Sequence, residues 1–307
     1  MQHLRLGLQA PWGTHERKRN RAGLALVLSV VLAPLYISQL CPWALAASNP
    51  IVIENRQPGS TGWQLSSKVS SEDTNEIRGY ASAVSINKGQ SITFYVTVNP
   101  AQTFNIDVYR VGWYGGTGGR LMQQIGPLKG ATQTFPCPMD SVTGMISCNW
   151  SASYSLTVPT TWTDGIYLAR LSNANGYTNY IIFAVRDDSR MADLLYSQPV
   201  NTYQAYNNWP ADHIHGKDLH AIDSSGPNTI GGDARAVKVS FDRPYSKNGA
   251  HLFFNWEIYF IHWMEKMGYD VTYTTNIDMH ANPKRMAAFK GVLSVGHDEY
   301  WSKPMYV

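Results

Sequence analysis

At 307 residues, 44% hydrophobic and 15% charged, the chain is too long for one ordinary β-sandwich and suits two domains once a leader is removed. Its formal net charge of +3 belongs to one end: residues 1–46 carry five Lys/Arg (Arg5, Arg17, Lys18, Arg19, Arg21) against Glu16, leaving 20 basic and 21 acidic residues, a net of −1. The apparent basicity of the whole chain therefore says nothing about nucleic acid, which would require a basic face on the folded part, and no nucleic-acid partner is expected.

Arg17-Lys18-Arg19-Asn20-Arg21 followed by Ala22 to Leu40, apolar apart from Ser29, Pro34, Ser38 and Gln39, reads as the basic and apolar parts of a signal peptide. Ala44-Leu45-Ala46 supplies the small-x-small pattern, so residues 1–46 are expected to leave by cleavage after Ala46. A secreted or periplasmic protein with no stable membrane insertion would result. The alternative is an anchor through residues 22–40, a run near the length that spans a bilayer. Bulky Leu40 directly before Cys41 argues against a lipoprotein. Cys41 leaves with the leader, and Cys137 and Cys148 remain inside a Pro/Gly/Ser-containing stretch. In an oxidising compartment they read as a hairpin-closing disulfide, with two free thiols as the alternative.

From residue 50 to about 187 apolar side chains alternate with polar ones and turn residues recur, the pattern of a sandwich. Strands are expected at Ala81–Ile86, Ser91–Val98, Phe104–Trp113, Tyr154–Val158, Ile166–Ser172 and Tyr177–Val185, with Ile92, Phe94, Val96 and Val98 sharing one face. Gly115-Gly116-Thr117-Gly118-Gly119 lacks the GK[ST] ending of a phosphate loop and precedes another strand-like run, Leu121 to Ile125. A glycine-rich hairpin turn is the reading.

At Asp187-Asp188-Ser189-Arg190 the grammar changes, and residues 190–307 are expected to be α/β. Phe253 to Met267 is the clearest helix: Phe253, Trp256, Phe260, Trp263, Met264 and Met267 recur at helical spacing, Gly268 ends it, and burial on more than one face is expected. Tyr269–Thr275 reads as a strand, Ala287–Phe289 as a short helical stretch, and Val292–Val295 as a parallel core strand. Trp209 to Arg235 is a long irregular stretch, of the kind that is usually functional or mobile.

No GxSxG elbow is present, and the cysteines are better explained as a disulfide, so serine and cysteine hydrolase mechanisms lack support. Asp212, His213, His215 and His220 can be read as zinc ligands or as a solvated loop with several histidines. Gly296-His297-Asp298-Glu299-Tyr300-Trp301 puts two carboxylates and an imidazole directly after an apolar strand, where α/β sheets place their sites. Carboxylates there are unfavourable unless they hold a metal, a substrate or each other.

Together these blocks resemble the N,N-dimethylformamidase large (beta) subunit family. The resemblance rests on Val108-Tyr109-Arg110-Val111-Gly112-Trp113-Tyr114-Gly115-Gly116, Tyr203-Gln204-Ala205-Tyr206-Asn207-Asn208-Trp209, Arg243-Pro244-Tyr245, Trp263 through Val271, and Gly296 through Ser302, in order over residues 50–307. It implies an all-β immunoglobulin-like sandwich followed by a partial α/β glutamine-amidotransferase-like (flavodoxin-like) domain. It also implies a mononuclear ferric iron on two tyrosines and a glutamate, carried over to Tyr206, Tyr245 and Glu299, with Tyr203 as the alternate for the first. His297 is then expected in proton transfer and Asn207 as a hydrogen-bonding partner, in hydrolysis of a C–N bond of a small amide or a cell-surface substrate. A homo-oligomer is compatible with this.

Two departures accompany the resemblance. Pro210-Ala211-Asp212-His213 stands where the family often continues with glycines, and the sequence stops eight residues beyond Glu299 while the family's α/β domain continues. A fragment is therefore expected, with completion by another chain as the alternative. The competing function is a secreted, non-catalytic carbohydrate- or partner-binding surface protein, using exposed-looking Trp63, Trp113, Tyr114, Trp150 and Trp162. The competing role for those rings is core packing between sheets.

Overall fold

The computed structural model describes residues 49–211, 215–220 and 235–306. The expected leader and its cleavage site, together with Asp212 and His213, lie outside the described residues. The described chain is rich in β-strand with few, short helices, and none of these is long and apolar enough to cross a membrane.

The elements run α1 (Pro50–Asn55), β1 (Ile77–Ala81), β2 (Ser85–Asn87), β3 (Ser91–Val98), β4 (Thr103–Val111), β5 (Gly119–Lys129), β6 (Tyr154–Thr157), β7 (Gly165–Asn173) and β8 (Thr178–Arg186). Then follow β9 (Leu194–Gln198), α2 (Val200–Ala205), α3 (Glu257–Lys266), β10 (Val271–Thr275), α4 (Asn276–Ala281) and β11 (Gly291–Ser294). Strands β1-β3-β6 form one antiparallel sheet, and β2-β8-β7-β4-β5 form a second, antiparallel except for the β2–β8 pair.

Period-two alternation puts Ile92, Phe94, Val96 and Val98 of β3 on one face, where they pack with Phe104, Ile106, Val108, Tyr167, Ala169, Leu171 and Phe183 of the second sheet. The continuous strand expected over Ala81–Ile86 is instead two. β1 ends in the first sheet and β2 begins in the second, with Val84 already accepting the Ala184 N–H at 2.9 Å. The glycines after β4 form the expected hairpin turn, Gly115, Gly116 and Gly118 all taking positive φ, which favours glycine, and Leu121–Ile125 lies in β5. Cys137 and Cys148 are bridged, with their Cα atoms 4.9 Å apart, and Met139 pairs with Ile146 inside the closed loop.

The other face of the second sheet carries the rest of the chain. Ile166, Leu168, Tyr180 and Ile182 share one core with Tyr196, Tyr203, Phe253, Ile258, Ile261, Met264 and Tyr273. There β10-β9-β11 form a parallel three-stranded sheet with β9 central. β11, expected as a core strand, is parallel to β9 but half exposed at the sheet edge, because among the described residues it pairs on one side only.

The expected aromatic helix is a 3₁₀ turn at His251–Phe254 followed by α3, and Gly268 at φ +74 follows its C-cap. Its buried stripe differs from expectation. Glu257, Ile258, Ile261, Met264 and Glu265 face inward, while Trp256 (44%), Tyr259 (67%), Trp263 (48%) and Met267 (59%) are exposed. The inward carboxyl groups are tolerated for different reasons: Glu265 meets a buried counter-charge, and burial raises the pKa of Glu257 to about 8 so that it keeps its proton. Glu265 receives Arg110 from β4 through two hydrogen bonds of 2.7 and 2.9 Å, and Glu257 receives the Tyr203 hydroxyl at 2.7 Å.

Arg110 also explains the block Val108–Gly116 as a structural joint. Its guanidinium donates to the Asp164 carbonyl and the Tyr114 hydroxyl, and a Cβ on Gly112 would stand 2.5 Å from the Glu265 carboxylate. Of the aromatics weighed as a glycan platform, Tyr114, Trp150 and Trp162 are buried, Trp150 against Tyr80 and Trp209, Trp162 stacked on Tyr167. Trp63 and Trp113 are half-buried. Trp63 stacks on Phe254 within the second core, and Trp113 lies under the Lys266 ammonium at 4.5 Å.

Candidate functional site

After β11 the chain turns at Gly296, whose φ of +73 favours glycine and whose added Cβ would lie 3.0 Å from Cβ of Trp256. The turn returns His297-Asp298-Glu299 over α2. There the buried Thr202 hydroxyl accepts the backbone N–H groups of Glu299 (3.0 Å) and Tyr300 (3.2 Å), and Asn201 donates to the Tyr300 carbonyl at 3.1 Å. Asp298 turns back to the sheet, accepting from Ser294 at 2.8 Å and Asn276 at 3.4 Å; burial raises its pKa.

Glu299 is left at the surface of this arrangement, its side chain 43% exposed. Tyr206, at the C-cap of α2, donates its hydroxyl to Glu299 Oε1 at 2.7 Å, and His297 Nε2 stands 2.8 Å from Oε2. These two contacts, Tyr206 first, hold the carboxyl below its ordinary range. The His220 ring stacks on Tyr206 at 3.9 Å; its Nε2 is 2.7 Å from the Tyr300 hydroxyl and 3.9 Å from Glu299 Oε1. Tyr206, His297 and Glu299 are thus in direct contact.

Tyr203, in the same block as Tyr206, is fully buried and bonded to Glu257, so Tyr206 is the tyrosine of that block whose hydroxyl meets Glu299. Tyr245 packs against the rings of Tyr203 (6.0 Å) and His251 (5.7 Å), and its buried hydroxyl has no hydrogen-bond partner among the described residues. Burial raises its pKa. Asn207 is fully buried between the two tyrosine-bearing segments. Its amide donates to Gln204 (3.1 Å) and the Pro244 carbonyl (2.9 Å), and its oxygen accepts from Trp209 N (3.3 Å) and Ser246 N (3.0 Å). With both donors engaged, Asn207 clamps the Tyr206 segment to the Tyr245 segment. Arg243 adds to the clamp by donating to the Asn207 carbonyl at 2.7 Å.

Beside the cluster lies a cavity of about 350 Å³, walled by Tyr206, His297, Trp256 and His251 and rimmed by Asn208, Ser246, Lys247, Asn248 and Asn255. Burial pushes the His251 imidazole down to about 4, which keeps it neutral, and its Nδ1 has no partner among the described residues.

Of the histidine-rich loop, His220 enters the cluster while His215 meets Phe135 edge-on at 6.3 Å. Among the described residues no group of three or more His, Cys, Asp or Glu is arranged to hold a metal ion. Sequence reasoning missed Thr202, Asn276, His251 and Tyr300. Only Tyr300 carried a signal, through its place in the Gly296–Trp301 run.

No curated protein matches the chain. Among solved structures, the Pseudomonas fluorescens alkylpurine DNA glycosylase AlkC, bound to DNA containing an abasic site analog, aligns with 36% of this chain at 14% identity and a TM-score of 0.22. The chain spans 30% of that protein, and a likeness this weak carries no argument about fold or function. A family model described as N,N-dimethylformamidase beta subunit-like, C-terminal, matches residues 105–307, which include every block of the cluster and of the Arg110 joint. The chain belongs to the N,N-dimethylformamidase beta subunit-like family.

Proposed function

We propose that the protein is an exported hydrolase of amide C–N bonds, with Tyr206, Tyr245 and Glu299 as ligands of one iron and His297 as the proton-transfer group. The observation that carries this reading is the contact of Tyr206 and His297 with the two oxygens of a half-exposed Glu299 at the edge of a cavity. The donor chemistry fits: two phenols and a carboxylate are hard oxygen ligands, and the orphaned buried hydroxyl of Tyr245 is a group for which a cation would be a partner. When bound, ferric iron supplies Lewis acidity, polarising an amide carbonyl and lowering the pKa of water.

The chain's own groups account for the remaining needs of the reaction. An amine leaving group requires a proton, and His297, hydrogen-bonded to Glu299, is placed to hold one and deliver it. His220, stacked on Tyr206 and bonded to Tyr300, orients the phenol ring. Asn207 keeps the two tyrosine segments in register from the buried side. An immunoglobulin-like sandwich and an amidotransferase-like second domain, with export by the basic-apolar leader, complete the reading. The face-to-face sheets, the parallel β10-β9-β11 sheet and the disulfide support it.

The test is the metal content and visible spectrum of the purified chain. The expected result is stoichiometric iron with a phenolate-to-iron charge-transfer band that is lost in Tyr206→Phe and in Tyr245→Phe, together with amine release from amides. Metal-free, colourless protein that cleaves no amide would overturn the reading.

A further inference from the structure

The cavity beside Glu299 is poorly suited to a small neutral dialkylamide. Its volume of about 350 Å³ lies within the range of pockets that take larger ligands, ~300–1,000 Å³. Its rim offers donors that such an amide, with one acceptor oxygen and no donor, would leave unpaired. The Asn255 side chain, the Asn248 amide nitrogen and the Lys247 ammonium make no hydrogen bond or ion pair with a described residue, whereas the Asn248 oxygen already accepts from Ala250 N at 3.0 Å. Covering these groups without pairing them costs desolvation energy.

Lys247 is held in place by its backbone. It sits at φ +58, a conformation costly for a residue with a side chain. Its carbonyl is fastened by Arg78 (3.1 Å) and Asn179 (3.1 Å), and its N–H by the Glu72 carboxylate. His251, which also lines the cavity, is another non-glycine residue at positive φ, +48. Strain held at Lys247 by these surrounding bonds keeps its backbone in one position at the cavity.

We propose that this cavity takes an amide bearing a carboxylate, of which an N-acylated amino acid is the simplest member. The carboxylate pairs with Lys247, the remaining polar groups meet Asn248 and Asn255, and the exposed Trp256 ring covers the apolar part. The inference rests on the amide-hydrolase reading for the placement of the acyl group beside Glu299. Hydrolysis would add water across the C–N bond, the hydroxyl going to the acyl carbon and the proton to the nitrogen, releasing a carboxylic acid and a free amino acid.

Calorimetric titration of the full chain with N-acetylglycine, its N-methylamide and N,N-dimethylformamide tests this. The carboxylate should bind roughly 10- to 100-fold more tightly than either neutral amide, the range of one charge-assisted contact. Lys247→Met should abolish that preference and Lys247→Arg restore it. Equal binding of the neutral amides, no binding of N-acetylglycine, or a preference that survives Lys247→Met would overturn the proposal. Amine release measured in parallel separates the two readings. Cleavage of N,N-dimethylformamide without carboxylate preference removes this inference and leaves the amide hydrolase, whereas carboxylate preference with no cleavage of any amide does the reverse.

Discussion

Removing the Glu265 carboxylate should expose how much the joint between β4 and α3 depends on charge pairing. Glu265 is 2% exposed and accepts four hydrogen bonds: two from Arg110 (2.7 and 2.9 Å), one from Asn55 (2.7 Å) and one from Tyr273. In Glu265→Ala the fully buried Arg110 keeps carbonyl partners and the Tyr114 hydroxyl but loses its direct counter-charge. Breaking a buried pair by deleting one partner costs about 3–5 kcal/mol. Glu54, reached through the Tyr114 hydroxyl at 2.8 Å, supplies some residual compensation, which places the expected loss near the lower end, about 3 kcal/mol. That is a large share of a total stability of ~5–15 kcal/mol. Urea unfolding should show a lower midpoint with unchanged slope. The double variant Arg110→Met/Glu265→Met should be less destabilised than the sum of the singles, because no unpaired charge remains. A loss under ~1 kcal/mol, or strict additivity, would refute the charge-pairing account.

Thr202→Val keeps the shape of a buried side chain while removing the acceptor of the Glu299 and Tyr300 N–H groups. About 1–3 kcal/mol of stability should be lost in chemical denaturation, and under the proposed function amide turnover should fall with it as Glu299 loses its support. Glu257, which burial pushes up to about 8, should make stability fall as pH rises. The folded state holds a proton that the unfolded chain releases near 4.5, so its contribution is full below that value and is lost as pH climbs through about 8. Glu257→Gln should flatten this part of the stability–pH profile; an unchanged slope between those values would disprove the assignment. Cys148→Ser opens a loop with a separation of 11 residues, and should lower stability by about 3 kcal/mol under oxidising conditions, with no further loss on adding reductant.

Alternation by itself was enough to locate β3 and the inward face of Ile92, Phe94, Val96 and Val98, because a strand's two faces are written into neighbouring positions. The hairpin glycines and the Cys137–Cys148 pair were equally local: positive φ and a short closed loop concern residues close in sequence. Motif resemblance singles out Tyr206, Tyr245, His297 and Glu299, but their contacts lie beyond it. The meeting of Tyr206 with Glu299 depends on Thr202 and on the Gly296 turn, and threonine and glycine at such positions have many other uses. The buried face of α3 differs from expectation for a related reason. Six apolar residues at helical spacing look like an inward stripe, and only Arg110, brought from a distant strand, lets a charged Glu265 face the core, while Glu257 faces it in protonated form beside Tyr203. Local periodicity and turn chemistry are properties of the sequence; compensation of buried charge is a property of the assembled tertiary structure.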